Sequence, residues 1–503
     1  MSETKRVAVS LLLTVLLALT ILPCMAGAVQ ADSLPLNTVL NWTDADNFGA
    51  YDYQSAKPKT GYAFGFYTID NGDGTVSSLI APPLKQYYDR TTGTFYYASD
   101  PEFYVERYDA TGNIVATKTF QMELPLFGAF YSGKRYNYMA FGQNNEECTD
   151  DAEVWRIVQY DKEWNRIASV SINGANTYTM LPFRSTVARM AESADGKSLV
   201  LYAARRRYDG HQSNITFILK TDPLQVDTVL GTQFPVNHVS HSFGQFVQYD
   251  GDNIVTVDHG DAYPRSFCLQ YPTGTLRGQE FTLLNIYGET GDNTTNAIGS
   301  GFEVSSTGYL FLGCSNPQDG TSDAPWNVFL TFTDKNTNKT TLTWITSGTE
   351  TIKCARLIRI NNSTFIIMWS DSDVLHWQLI DASGNLTGSE NVMSNIPMPP
   401  TQPIVYGRQI RWIQTAPGTE KPCLYTLEIP FDSISTHGDV NLDGSVDTTD
   451  LEILSSYYAG LEGYEEKIES WDEADVDGNG TAERSDVMRL ARYLRGWSGY
   501  IIN

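Results

Sequence analysis

Between residues 32 and 436 the chain repeats itself in units of roughly fifty to sixty residues, a length that dictates an array of small, similar sheets. The repeat is clearest at a polar turn: YDATGN at Asp109, YDKEWN at Asp161, KTDPLQ at Asp222, FTDKNT at Asp334 and IDASGN at Asp381. The steps are 52, 61, 112 and 47 residues, the long one being two units of 56 with YPTGT at Pro272 in the gap. Asp, Asn and Gly gather there because they tolerate turn geometry and bond their own backbone, so each of these Asp residues reads as a turn closer. Hairpin signals SGK, DGK, DGDN, STG and NNS lie between paired apolar runs that begin near Phe127, Val187, Phe243, Phe302 and Ala355. One further unit precedes these, ending in EFYVERYDATGNIVATKTF, and one follows in YGRQIRWIQTAPGTEKPCLYTLEI. Four strands at this period predict the blades of a mainly all-β propeller, six- or seven-bladed with seven favoured. The strand-rich GYAFGFYTI near residue 65 is expected to complete the last blade, leaving few open edges.

Charge narrows the partners. Of 503 residues, 59 are Asp or Glu and 35 are Lys or Arg, a net charge of −24 with no basic stripe, which excludes nucleic acid. Lys5 and Arg6 precede an apolar run over residues 7–22, and small residues end at Ala31, so residues 1–31 read as a secretory signal peptide. No stop-transfer pattern follows, and no membrane span is expected after cleavage. The mature part holds Cys148, Cys268, Cys314, Cys354 and Cys423, too scattered for a disulfide framework, although a single pair stays open.

In an antiparallel four-stranded blade, the second-to-third loop and the connection to the next blade emerge on one side. Long loops read at residues 142–153, 204–213, 258–265, 315–326 and 370–373 therefore share a face, and such faces on rigid folds carry ligand sites. The richest stretch has His238, His241 and His259 beside Asp258, Asp261, Tyr263 and Arg265, with His211 in the preceding blade. A carboxylate near an Arg, or a His held by a carboxylate, suits general acid–base work or recognition of sugar hydroxyls. Asp258, His259, Asp261 and Arg265 are thus the candidate catalytic group, and they read equally as loop caps and an ion pair. Glu146, Glu147, Asp150 and Asp151 with Arg205, Arg206 and Arg207 read as a surface ion-pair patch. Neither HExxH, GxSxG nor a P-loop occurs, so no reaction is named for the propeller.

The C-terminal stretch is more specific. GDVNLDGSVDTTD sets Asp439, Asn441, Asp443, Ser445, Asp447 and Asp450 at positions 1, 3, 5, 7, 9 and 12 of a calcium loop, with Gly444 at the sharp turn. ADVDGNGTAERSD repeats this 36 residues later with Asp475, Asp477, Asn479, Thr481, Glu483 and Asp486 around Gly480. Alternate positions matter because a hard cation needs about six to eight oxygens, which a loop supplies by turning every other residue inward. An apolar helix follows each loop, through Leu451, Leu454 and Tyr458 and through Val487, Leu490 and Leu494. Residues 437–503 hold fifteen acidic and five basic side chains, a density that suits cation binding.

Two loops of this form with Asp at position 12, after a secreted module, resemble a type I dockerin over residues 437–503. The resemblance implies a small all-α unit with paired calcium loops holding two Ca2+ ions, which docks onto a cohesin module of a scaffoldin. It also implies an extracellular, cell-surface cellulosome and a part in plant polysaccharide breakdown. Cohesin recognition would fall at Thr448, Thr449, Arg484 and Ser485; because these pairs differ, symmetric two-way docking is not expected. The organisation read is a signal peptide (1–31), a propeller (32–436) and a dockerin (437–503). For the propeller three roles stay open: an enzyme (glycoside hydrolase, then polysaccharide lyase), a carbohydrate-binding module stacking sugars on Tyr208, Tyr263 or Trp326, and a protein-binding component.

Overall fold

The computed structural model describes residues 38–41, 66–81, 87–89, 94–96, 102–183, 188–233, 244–262, 265–273, 279–291, 295–317, 324–371, 374–406, 409–417, 421–429, 437–441, 446–476 and 481–495. Among the described residues, six four-stranded antiparallel sheets and one five-stranded sheet form seven blades, and a separate two-stranded sheet pairs Tyr87–Asp89 with Thr94–Tyr96. The blades' innermost strands are Phe66–Asp70, Leu126–Ser132, Arg189–Glu192, Phe246–Asp250, Ala297–Val304, Ala355–Arg359 and Ile404–Tyr406. In blade 3 an extra strand, Thr179–Pro182, pairs with the upper part of Ser198–Arg207, the strand that Arg189–Glu192 also pairs with.

Position within a blade explains composition. Second strands are covered on both faces by neighbouring blades, so Asn137–Gly142 and Gly308–Ser315 are buried throughout, whereas the outermost Leu386–Ser394 is almost wholly exposed and polar. Between every two adjacent blades lies one apolar cluster. Trp155, Phe183 and Phe217 fill the seam of blades 2 and 3, and Leu40, Phe66, Tyr108, Ile413 and Leu424 fill that of blades 7 and 1. The smallest lies between blades 3 and 4 and comprises Ala191, Val200, Tyr202, Val247 and Ile254.

Closure differs from the expectation. Phe66–Asp70 does not complete the last blade; it hairpins onto Val76–Ile80 as the innermost strand of blade 1. The blade is closed instead by Thr38–Val39, pairing Thr38 with Leu424 and Val39 with Cys423. The NGDG run at residues 71–74 is a hairpin signal between two apolar runs, and it commits residues 66–80 to one sheet. Asn41 then ties blade 7 to blade 1, its amide donating to Gly112 O (2.8 Å) and its side chain to Asn113 Oδ1 (2.6 Å).

The recurring turn Asp residues do what their chemistry suggests. Asp109, Asp161, Asp334 and Asp381 each accept backbone N–H groups two to four residues ahead, such as Thr111 and Asn113 for Asp109. Asp109 is held below the usual carboxylate range by the Thr111 hydroxyl and the Asn113 amide.

In the C-terminal region, helices Thr448–Tyr458 and Arg484–Leu494 pack around Val440, Ile453, Leu454, Ile468, Val476 and Leu490. The expected helix-face residues Leu451, Tyr458, Val487 and Leu494 lie against this core. The proposed signal peptide falls outside the described residues. No helix among those described is long and apolar enough to cross a membrane.

Candidate functional site: the long-loop face and the paired Asp-rich loops

Two loops of the long-loop face are shorter than the sequence suggests. Arg205, Arg206 and Arg207 end the strand Ser198–Arg207, and Asp258 and His259 belong to Asn253–Gly260. Strand ends next to the small cluster between blades 3 and 4 bring polar side chains into that seam.

Asp258 is fully buried there. Its Oδ2 accepts from Tyr202 Oη (2.9 Å) and Asn214 Nδ2 (2.7 Å); its Oδ1 accepts from Gln245 Nε2 (3.3 Å) and the His259 amide (2.8 Å). Four donors make this carboxylate a bolt between blades, since a buried charge is tolerated when hydrogen-bonded. His259 packs on Phe267, ring centroids 4.4 Å apart. Burial and, less strongly, Arg265 push its pKa down to about 3, so the imidazole is neutral at ordinary pH.

Asp261 is also fully buried and Arg265 nearly so. The Arg265 guanidinium spans backbone carbonyls of Tyr287 (3.0 Å), Glu289 (3.2 Å) and Asp261 (3.4 Å), clamping the connection to blade 5. The fold therefore gathers Asp258, His259, Asp261 and Arg265 at one end of blade 4, beneath the surface. His238, His241 and Tyr263 lie outside the described residues.

The expected acidic–basic patch is divided. Glu146, Glu147, Asp150 and Asp151 are exposed, while buried Arg205 donates to the carbonyls of Thr177, Gly231 and Thr232. Burial lowers the Arg205 pKa to about 9, and Arg207 adds to the fall. Arg207 pairs with Asp209 in its own blade at 2.8 Å. Tyr208 is engaged in joining loops: its ring lies 4.7 Å from that of Tyr178, and its hydroxyl donates to Thr149 O (3.0 Å). Trp326 lies under the Lys353 ammonium, 4.6 Å from the ring centroid. Beside it, a cavity of about 390 Å3 is lined by Pro317, Pro325, Asn327, Trp344 and Thr346.

The C-terminal loops carry a duplicated local structure. Asp447 caps the first helix, its Oδ1 accepting from the Thr449 amide (2.6 Å), and Asp450 reaches back to the Asp447 amide (2.8 Å). Glu483 and Asp486 form the same capping box on the second helix, the Glu483 amide donating to Asp486 Oδ2 (2.7 Å). Asp450 Oδ1 also accepts from the Val440 amide (2.7 Å), fastening the end of the loop to its beginning. Asp439, Asp450 and Asp486 are fully buried and Asp475 nearly so. Carboxylates buried at the first and last positions of two loops suit a divalent cation that prefers oxygen. Asn441, Asp447, Thr481 and Glu483 stand at the intervening described positions, whereas Asp443, Ser445, Asp477 and Asn479 lie outside them. Among the described residues no group of three or more His, Cys, Asp or Glu closes around one point.

Residues 437–495 match the dockerin type I domain.

Type I dockerin domains bind calcium and dock onto cohesins. No curated protein matches the chain. Among solved structures, the chain is similar to polysaccharide lyase Uly1 at 9% identity, covering 80% of this chain and 98% of that one with a TM-score of 0.41. It is similar to an uncharacterized protein of Listeria monocytogenes at 10% identity, covering 70% and 89%, TM-score 0.36. A third likeness is to the Dos1 propeller at 11% identity, covering 60% and 73%, TM-score 0.33.

The dockerin's two halves differ where partner recognition was expected. Thr448 and Thr449 are exposed at the start of the first helix. Arg484, exposed at the equivalent place in the second half, donates to Tyr458 O (3.1 Å) at the end of the first helix, and Ser485 Oγ donates to Glu483 Oε1 (2.6 Å).

Proposed function

We propose that this chain is a secreted cellulosome subunit. Its dockerin, holding two Ca2+ ions through the twelve loop positions from Asp439 to Asp450 and from Asp475 to Asp486, binds a scaffoldin cohesin through Thr448, Thr449, Arg484 and Ser485. Its propeller takes part in plant polysaccharide degradation at the long-loop face. The observation that carries this reading is the pair of loops, each closed by a capping box with Asp at its last position, within the dockerin match.

Two forms of propeller activity follow. In the catalytic form it hydrolyses O-glycosyl bonds, which needs two carboxylates about 5–10 Å apart across a substrate groove. In the second form it binds carbohydrate without cleaving it, and the burial of both Asp258 and Asp261 favours this one.

The test is product release by the full chain from a panel of plant cell-wall polysaccharides, beside an Asp261→Ala variant checked for folding by its denaturation midpoint. Release lost in a folded variant assigns hydrolysis to blade 4. Retention on one polysaccharide without release assigns binding. Neither release nor retention on any member removes the polysaccharide reading.

A further inference from the structure

Blade 5 opens a cavity at its long-loop edge. Its third strand, Asn327–Asp334, and its outermost strand, Thr340–Trp344, run antiparallel with Phe329 opposite Trp344, so the loop entering the third strand and the connection leaving the outermost one emerge side by side. Backbone bonds stitch the two segments together: the Ile345 amide donates to Val328 O (2.8 Å) and the Ile352 amide to Trp326 O (2.9 Å). Both segments line the cavity of about 390 Å3, which falls within the ~300–1,000 Å3 usual for small-molecule sites.

The walls differ in chemistry. Pro317, Pro325 and Trp344 are apolar, Asn327, Thr346 and Ser347 are polar, and no ionisable side chain lines the cavity. Trp344 is half-buried and fixed edge-on by the buried Phe329, ring centroids 5.7 Å apart and planes at 67°. Asn327 is 3% exposed, and its position is set. Its Nδ2 donates to Pro325 O (3.2 Å), and its Oδ1 accepts from Thr346 Oγ1 (3.0 Å), which in turn accepts from the Val328 amide (2.9 Å). The second N–H on Nδ2 meets no acceptor among the described residues. Trp326, by contrast, does not line the cavity, and the Lys353 ammonium occupies one face of its ring.

We propose that this cavity is a subsite for one uncharged pyranose ring of a plant cell-wall polysaccharide, with Trp344 as its platform. The axial C–H groups of a β-linked pyranose form an apolar face that suits a flat indole. Its hydroxyls stay at the ring's edge, where Asn327 and, at the exposed rim, Ser347 exchange hydrogen bonds with them. A lining without ionisable groups favours a neutral sugar over a uronic acid, because a carboxylate taken out of water with no cation beside it is costly. Asn327 is placed before the ligand arrives, which lowers the ordering cost of binding. This inference rests on the polysaccharide reading and deepens it by naming a neutral sugar and a site apart from the buried Asp258 group.

The experiment is calorimetric titration of the full chain with cellohexaose, xylohexaose and mannohexaose, beside trigalacturonate and a proline-rich decapeptide. At least one neutral hexasaccharide is expected to bind, and Trp344→Leu to weaken it by about tenfold or more, because leucine keeps an apolar contact with Phe329 but has no flat face. Trp344→Phe keeps a smaller flat ring and is expected to recover part of the loss. Trp344 ends an outermost strand whose Thr341, Leu342 and Thr343 are exposed, so both variants are expected to fold, which denaturation midpoints check. In the unaltered chain, saturating hexasaccharide is expected to shield Trp344 from N-bromosuccinimide, read by peptide mass spectrometry. Unchanged binding in folded Trp344→Leu, or oxidation of Trp344 indifferent to bound sugar, overturns the subsite and leaves the polysaccharide reading standing, as does binding of trigalacturonate without any neutral hexasaccharide. Binding of the decapeptide alone, or of none of these ligands, overturns the subsite; failure across the polysaccharide panel as well removes the wider reading.

Discussion

At the scale of single residues, the propeller places ionisable groups where water is scarce, and hydrogen bonding decides how each behaves. Asp258 remains a buried acceptor because Tyr202, Asn214, Gln245 and the His259 amide all donate to it. Asp258→Ala leaves those donors unmatched beside the smallest inter-blade cluster. It is expected to cost about 3 kcal/mol, read as a lower midpoint in denaturant. Glu303 behaves differently. Burial in the channel wall raises its pKa to about 7 from an ordinary 4.5, and Arg359 offsets this only in part. Between those two values the native chain holds a proton that the unfolded chain has released. The resulting stability is full below about 4.5 and is lost as pH rises through about 7. Glu303→Gln is therefore expected to lose less stability than the parent between about pH 5 and about pH 8, measured as the change in denaturation midpoint. An identical change in both proteins contradicts the assignment.

At the scale of elements, ring closure depends on a two-residue strand. Thr38–Val39 contributes few ladder bonds, but Leu40 directly after it is 1% exposed within the cluster of Phe66, Val76, Ile413 and Leu424. Leu40→Ala is expected to destabilise the propeller by about 2–5 kcal/mol, seen as a fall in Tm, because it opens a cavity at the seam where the ring closes. The sequence showed the blades better than the closure. Blade turns announce themselves through Asp and Gly at fixed places, whereas TVLN has no periodicity long enough to mark it as a strand. GYAFGFYTI attracted the closing role through β propensity, which cannot tell an innermost strand from an outermost one. In the dockerin, loop spacing and the helix-face residues were legible because coordination chemistry demands residue types at set positions. On the long-loop face, residue types were legible and depth was not: Asp258, His259, Asp261 and Arg265 are adjacent, yet all four are buried, Asp258 against blade 3 and His259 and Arg265 on the side of blade 5.

At the scale of the whole molecule, two stabilising principles coexist. The propeller rests on seven apolar seams and a closed ring. The dockerin has a small core and crowds carboxylates into two loops, so folding of such a unit is expected to be coupled to calcium binding. Its capping boxes orient Asp450 and Asp486 toward their loops, but carboxylates this close repel one another without a cation. Chelation is accordingly expected to abolish helical signal from the dockerin while the cooperative unfolding of the propeller keeps its midpoint.

The most direct measurement is capture of the full chain by immobilised type I cohesins in calcium, in excess chelator, and after calcium is restored. Saturable capture in calcium, loss in chelator, recovery on restoration and weakening in a Thr448→Ala, Thr449→Ala double variant are expected. Capture by none of the cohesins in calcium, or capture indifferent to chelator, contradicts the account.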